Sequence, residues 1–170
     1  RYRSATQPLR ISVMGKSDLS AEQSQHLKLH YHDHDLPSLE ALVSEIKSAH
    51  KVGRNIAAHC VTRAELMLTL AALDMAGPVL GDRIEHAAIA DEAGIEWMKA
   101  LGVIVVTQPN FIAERQSAYL TDVPKEEHKN LWRLKAFQNT GIKLAAGSDA
   151  PFGDPSPWKA MQAAVQRPKG

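Results

Sequence analysis

The chain has 170 residues, 44% of them hydrophobic and 23% charged, with a net charge of +1, eight histidines and one cysteine. That length fits about one domain on the usual scale of roughly 100–200 residues, and the composition excludes disordered, collagen-like and coiled-coil classes. The single cysteine excludes a disulfide framework and a four-cysteine zinc site. Near-neutral charge gives no footprint for nucleic acid, and no apolar run reaches the roughly 18 residues of a membrane helix. With no targeting motif in view, a cytoplasmic location is expected. The chain opens on Arg1 rather than Met, which is expected of a piece of something longer.

Strand-like and helical patterns alternate along the sequence. Leu9 to Met14 alternates apolar and polar residues and stops at Gly15, which predicts a strand. His26 to His32 predicts a second. Pro37 opens a helix carrying Leu39, Leu42, Val43, Ile46 and Ala49 at helical spacing, ending near Gly53. Asn55 to Val61 is a third strand. Thr62 with Glu65 three residues on forms a capping box for a helix through Leu66, Leu70 and Leu73, which stops at Gly77-Pro78. Arg83 to Ala87 is a fourth strand, followed by a helix through Ile95, Met98 and Leu101 closed by Gly102. Val103 to Gln108 is a fifth strand, continuously apolar over its first four residues, as burial on both faces requires. A longer loop from Asn110 to Lys125 is expected next, then a helix through Leu131, Leu134 and Phe137 that ends at Gly141. Ile142 to Gly147 is a sixth strand, and Trp158 to Val165 a last helix.

This alternation means β/α units and a parallel sheet, open to either a doubly wound sheet or a β/α barrel. The polar residues decide between them. The second strand ends in Lys28, His30 and His32, followed by Asp33 and His34. The third ends in His59, the fourth in His86, the fifth in Gln108 and the sixth in Ser148-Asp149. In a barrel such ends converge on one site, whereas in an open sheet they would be strung along an edge. The expected fold class is therefore α/β, a TIM-type (β/α)8 barrel.

Each of these residues has a plainer role to weigh. A lone strand-end histidine is more often a hydrogen-bonded side chain than a ligand, but two on adjacent strands with an aspartate on another shift the balance. Asp149 alone reads as a turn or cap residue, and Arg63 as a surface residue at a helix start. Lys28 shares strand parity with His30 and His32. The His30–His34 run reads either as an adventitious metal-binding run or as a polar loop. Trp97, Trp132 and Trp158 are expected to be packing anchors, and Cys60 a core residue. Two imidazoles and a carboxylate suit a zinc-like ion with a position open for water, whose pKa the ion lowers to about 7. A lysine buried enough to be neutral can take up carbon dioxide and become an oxygen ligand.

At this point the sequence resembles the amidohydrolase superfamily, specifically its amidohydrolase-3 branch, which includes N-substituted formamide deformylases. The resemblance rests on Ala58-His59, Arg83-Ile84-Glu85-His86-Ala87, Val106-Thr107-Gln108-Pro109-Asn110-Phe111, Ala146-Gly147-Ser148-Asp149-Ala150-Pro151 and Ala163-Ala164-Val165-Gln166-Arg167. It implies a barrel with a metal centre at its C-terminal face, His59 and His86 as ligands on strands five and six, and Lys28 as a bridging, carboxylated lysine on strand four. It also implies Asp149 as the strand-eight acid/base that touches the metal. The cofactor implied is a divalent metal, zinc first, as one or two ions. Family members carry a His-x-His pair on their first strand. Since His59 lies one β/α unit after His32, His30-Tyr31-His32 cannot be that pair. Residues 1–170 are thus expected to be a single, incomplete barrel domain holding strands three to eight, against the roughly 250 residues of a whole barrel.

The expected function is metal-dependent hydrolysis of a non-peptide C–N bond through a metal-activated water, with Asp149 as acid/base. His32, Arg63, Gln108 and Asn110 are the expected substrate contacts, all on the loop face. The partner is a small molecule, not nucleic acid or membrane. Open barrel edges leave backbone groups unpaired, so self-association, or cover from an N-terminal segment, is expected. The alternatives are a metal-dependent deaminase or phosphotriesterase-like hydrolase, a non-catalytic binding domain built on the same barrel, and a fragment inactive by itself.

Overall fold

The computed structural model describes residues 12–167. Six strands run parallel in the order β1 to β6, namely β1 (Met14–Gly15), β2 (His26–Leu29), β3 (Asn55–Cys60), β4 (Arg83–His86), β5 (Ile104–Thr107) and β6 (Lys143–Ala146). Among the described residues β1 and β6 are edges and the sheet does not close on itself. From β2 onward helices return the chain from one strand to the next: α1 (Leu39–Lys51), α2 (Arg63–Ala76), α3 (Glu92–Leu101), the short α4 (Asn110–Glu114) and α5 (Gln116–Asp122), and α6 (Leu134–Thr140); α7 (Pro157–Val165) follows β6. The architecture is an incomplete TIM-type barrel. Among the described residues no helix is long and apolar enough to cross a membrane.

Strand parity builds the core. Leu27, Leu29, Ile56, Ala58, Cys60, Ile84 and Val105 turn outward under the helices and are buried there with Leu42, Ile46, Leu66, Leu70, Leu73, Ile95, Met98 and Phe137. The alternate positions, Lys28, His59, Arg83, Glu85 and Val106, turn to the concave face and are only partly buried or exposed. The capping box forms as the sequence predicts: Glu65 N donates to Thr62 Oγ1 at 3.2 Å, and Glu65 Oε2 accepts from Thr62 N at 3.0 Å.

Two buried charges tie the N-terminal ends of the strands together. Arg54, 4% exposed, donates to the carbonyls of Gly15, Lys16, Leu19 and His26 and so knits the entry to β2 and β3. Asp82, 0% exposed, accepts from Ile56 N at 2.8 Å, Val79 N at 2.9 Å and His50 Nε2 at 3.1 Å. Its carboxylate is fully engaged, as a buried charge requires.

Several expectations are corrected. Of the strand expected over Leu9 to Met14, residues Leu9 to Ile11 lie outside the described residues, and β1 begins at Met14. The second strand stops at Leu29 rather than His32, because Tyr31 is drawn toward α1 by its hydrogen bond to Glu45 and the chain then turns at Asp33–Asp35. The loop expected over Asn110 to Lys125 is largely helical, as α4, α5 and the start of a 3-10 turn over Lys125–Asn130. What folds it is a second small core of Ala88, Ile89, Phe111, Ile112, Leu131 and Trp132, whose partners are too far apart in sequence to make a periodic pattern. The helix expected through Leu131 starts only at Leu134, since Leu131 bridges to Ile89 and Trp132 takes a φ of 43°. Trp158 is no packing anchor among the described residues, at 75% exposed.

Replacing Asp82 by alanine orphans three donors at once, so it is expected to lower the unfolding free energy by about 2–4 kcal/mol in urea titrations. Leu80→Ala, at a side chain 84% exposed, is the control and is expected to shift stability by less than about 0.5 kcal/mol.

Candidate active site

The C-terminal strand ends carry a continuous row of imidazoles. Ring centroids lie 5.6 Å apart for His34 and His32, 4.9 Å for His32 and His30, 4.2 Å for His30 and His59, and 4.6 Å for His59 and His86. Parallel register produces the inner part of the row: Leu29 pairs with Ala58 and Cys60 with His86, so the ends of β2, β3 and β4 stand level. His30 and His32 are exposed, while His59 and His86 are half-buried. Ligand nitrogens of His30, His32 and His59 lie within 4.8 Å of one another. Among the described residues these are the three groups that come together so closely; His86 and Asp149 stand outside that set.

Burial biases three of these imidazoles, His30, His59 and His86, toward the neutral form. Burial, then the neighbouring imidazoles His86, His30 and His32 and the Lys28 ammonium, push the His59 pKa down to about 3. Burial likewise lowers His86, against the opposing effects of Gln108 and Asp149. A neutral imidazole is the form that ligates a metal, so the donor set fits a divalent cation.

His86 is held in one orientation. Gln108, 4% exposed, donates from Nε2 to the Val106 carbonyl at 3.3 Å, which turns Oε1 toward His86 Nδ1 at 2.6 Å. Nδ1 therefore carries the proton and Nε2 keeps its lone pair. His86 has a φ of 68° and Ala87 one of 47°, and Ala87 N donates to the Glu85 carbonyl at 2.9 Å, so β4 ends in a tight turn that throws the ring across the face.

Asp149 is also left-handed, with a φ of 53°. Its carbonyl accepts from Phe152 N at 2.8 Å and Gly153 N at 3.2 Å, and Asn110 Nδ2 donates to the neighbouring Ser148 carbonyl at 3.1 Å. Gly153 is required there, since a Cβ would come within 2.3 Å of the Ser148 carbonyl oxygen. Left-handed backbone at a non-glycine residue costs of the order of 1–3 kcal/mol and is concentrated at functional sites. Two of the residues singled out in the sequence, His86 and Asp149, carry it.

The remaining sequence candidates fall as follows. Lys28 stands on the concave face beside Ala57, exposed, with no ion pair within 4 Å among the described residues. Asn110 is 1% exposed and its Oδ1 is buried without a partner, at the edge of a cleft of about 730 Å³ lined also by Glu114, Phe152, Asp154 and Lys159. Arg63 is taken up by Asp91, with Nη2 at 2.8 Å from Oδ2. Gln108 has both ends of its amide engaged within the protein, which makes it a support for His86. His30, read from the sequence as part of a metal-binding run or a polar loop, joins His32 and His59 here. Glu85 escaped the sequence reading as a site residue. Glu85 pairs in register with His59 on the concave face. Its carboxylate sits 2.6 Å from Arg83 Nε but off the hydrogen-bonding line, so both atoms lack a hydrogen-bond partner, and burial raises its pKa.

Residues 18–170 match the model of the amidohydrolase family. The chain belongs to that family. Over 130 residues it is 29% identical to YtcJ of Bacillus subtilis, a protein named as an amidohydrolase, covering 75% of this chain and 25% of that one. Over 126 residues it is 29% identical to an N-substituted formamide deformylase of Arthrobacter pascens, covering 70% of this chain and 23% of that enzyme. A crystal structure of a metal-dependent hydrolase from Pyrococcus furiosus superimposes with a TM-score of 0.70 at 28% identity, over 79% of this chain and 28% of that one. The chain thus spans about a quarter of the length of the curated relatives it matches.

Asp149→Gly relieves the left-handed strain and removes no side-chain hydrogen bond found among the described residues, so its melting temperature is expected to equal or exceed that of the parent, whereas Asp149→Val is expected to melt lower. Cys60 is buried beside Thr69, and burial raises its thiol to about 12. At pH 8 a thiol reagent is expected to leave the native chain unlabelled and to label it fully in denaturant.

Proposed function

We propose that this chain forms the metal-binding and proton-handling part of a metal-dependent hydrolase acting on non-peptide C–N bonds of the amide type. The reading is carried by one observation: in a chain of the amidohydrolase family, His59 and His86 meet at adjacent strand ends with ring centroids 4.6 Å apart, both held neutral by burial.

His59 and His86 are the metal ligands in this reading, with Lys28, once carboxylated, and Asp149 supplying oxygen donors. A bound divalent ion, zinc by the softness of the donor set, supplies a Lewis acid that polarises the scissile carbonyl and acidifies water. Asp149 accepts the proton of the attacking water and returns it to the departing nitrogen. His86 offers Nε2 because Gln108 holds its Nδ1 proton, so Gln108 serves as a positioning residue. Asn110, whose buried Oδ1 has no partner beside the cleft, and the exposed His32, 6.2 Å from His59 between ring centroids, serve as substrate contacts in this reading. Arg63 contributes through its pairing with Asp91, which fixes the start of α2 beside the N-cap of α3.

In the same reading, residues 1–170 belong to one barrel domain whose remaining strands come from further sequence or from self-association. All four residues of β6 are exposed, and Leu144 on that strand with Trp158, Met161 and Val165 on α7 present apolar surface between 39% and 85% exposed. Apolar surface of this kind at an unpaired strand is costly to leave in water.

The test uses the intact parent protein and a panel of N-acyl and formamide substrates. Chelation is expected to abolish hydrolysis and zinc to restore it, and Asp149→Asn is expected to lower kcat by at least about 10²-fold with the fold retained. Hydrolysis that survives both chelation and Asp149→Asn would contradict the reading.

A further inference from the structure

His30 has no assigned place in the hydrolytic site and His32 only that of a substrate contact, yet the two complete a three-nitrogen set with His59. We propose that His30, His32 and His59 form a divalent-cation site at the mouth of the sheet, with His59 common to it and to the deeper His86 pole, so that one ion occupies one pole at a time.

The three rings come from two adjacent strand ends, β2 and β3, and their ligand nitrogens already lie within 4.8 Å. A tetrahedral zinc ion with bonds of about 2.0–2.1 Å needs nitrogens about 3.4 Å apart, a gap that small rotations of two exposed side chains close. Three imidazoles with a fourth position open is an established zinc geometry. The segment that carries His30 and His32 is also anchored. Between them, Tyr31 donates to Glu45 Oε2 at 2.5 Å, and just after them Asp33 accepts from Thr62 Oγ1 at 2.5 Å. Asp35 N donates to the His32 carbonyl at 2.8 Å, closing the turn. The two exposed imidazoles therefore project from a tethered loop, which limits the ordering entropy of binding. His34 stacks on His32 at 5.6 Å but lies outside the three-nitrogen set.

This inference rests on the hydrolytic reading only through His59. The experiment is cobalt(II) and zinc(II) binding to the full chain, followed by the visible d–d spectrum of cobalt and by equilibrium dialysis of zinc, with circular dichroism as the check on folding. His30→Ala and His32→Ala, both at exposed positions, are each expected to weaken binding at least tenfold and to diminish the tetrahedral cobalt spectrum. His34→Ala and His86→Ala are expected to stay within about threefold of the parent. Binding lost in His86→Ala but kept in His30→Ala and His32→Ala would overturn the mouth site while leaving the hydrolytic reading standing. Absence of cobalt and zinc binding by the folded parent chain would overturn the mouth site as well, and the hydrolytic reading would then be judged separately by the chelation assay on the intact protein.

Discussion

Parallel pairing in a single register is the constraint on which the rest of this molecule depends. Because Leu29 faces Ala58 and Cys60 faces His86, adjacent strands end level, and whatever follows each strand is delivered to one face. The same register sorts the alternating residues, sending Leu27, Ile56, Ile84 and Val105 under the helices and Lys28, His59 and Glu85 to the concave side. A slip of one residue would exchange the two sets and put the charged groups into the apolar layer. Arg54 and Asp82 protect against such a slip from the opposite end, since each satisfies backbone groups that are correctly placed only in this register.

The division of labour between the two ends follows. At the N-terminal end Asp82 is fully partnered, and Arg54 is met by four backbone carbonyls although its Nε has no partner. At the C-terminal end, His86, Ala87 and Asp149 hold left-handed backbone, and Glu85, Thr107 and Asn110 carry buried polar atoms without hydrogen-bond partners. Backbone strain gathered at one end of a barrel sheet marks the end that interacts with something else. The exposed β6 edge and the apolar face of α7 are different in kind, being an unfinished sheet rather than a prepared site.

Much of this was legible from residues alone. Each strand from His26 onward and each long helix has a local signature: alternation, a capping box at Thr62, a glycine stop at Gly102 or Gly141. The strand-end histidines were legible because strand parity and strand ends are both sequence properties. What was not legible depends on contacts between distant segments. The helical turns after Asn110 form because Phe111 and Ile112 meet Leu131 and Trp132. The early end of β2 follows from the hydrogen bond between Tyr31 and Glu45, 14 positions apart in the chain, and the Gln108–His86 bond joins the ends of two strands. No periodicity encodes such pairs.

Metal binding by the imidazoles at these strand ends is read out by zinc K-edge X-ray absorption on the zinc-loaded full chain. The expected first shell is nitrogen and oxygen only, at about 2.0–2.1 Å, with the outer-shell scattering of two or three imidazoles. A sulfur scatterer at about 2.3 Å, which would bring in Cys60, or a shell without imidazole would contradict it.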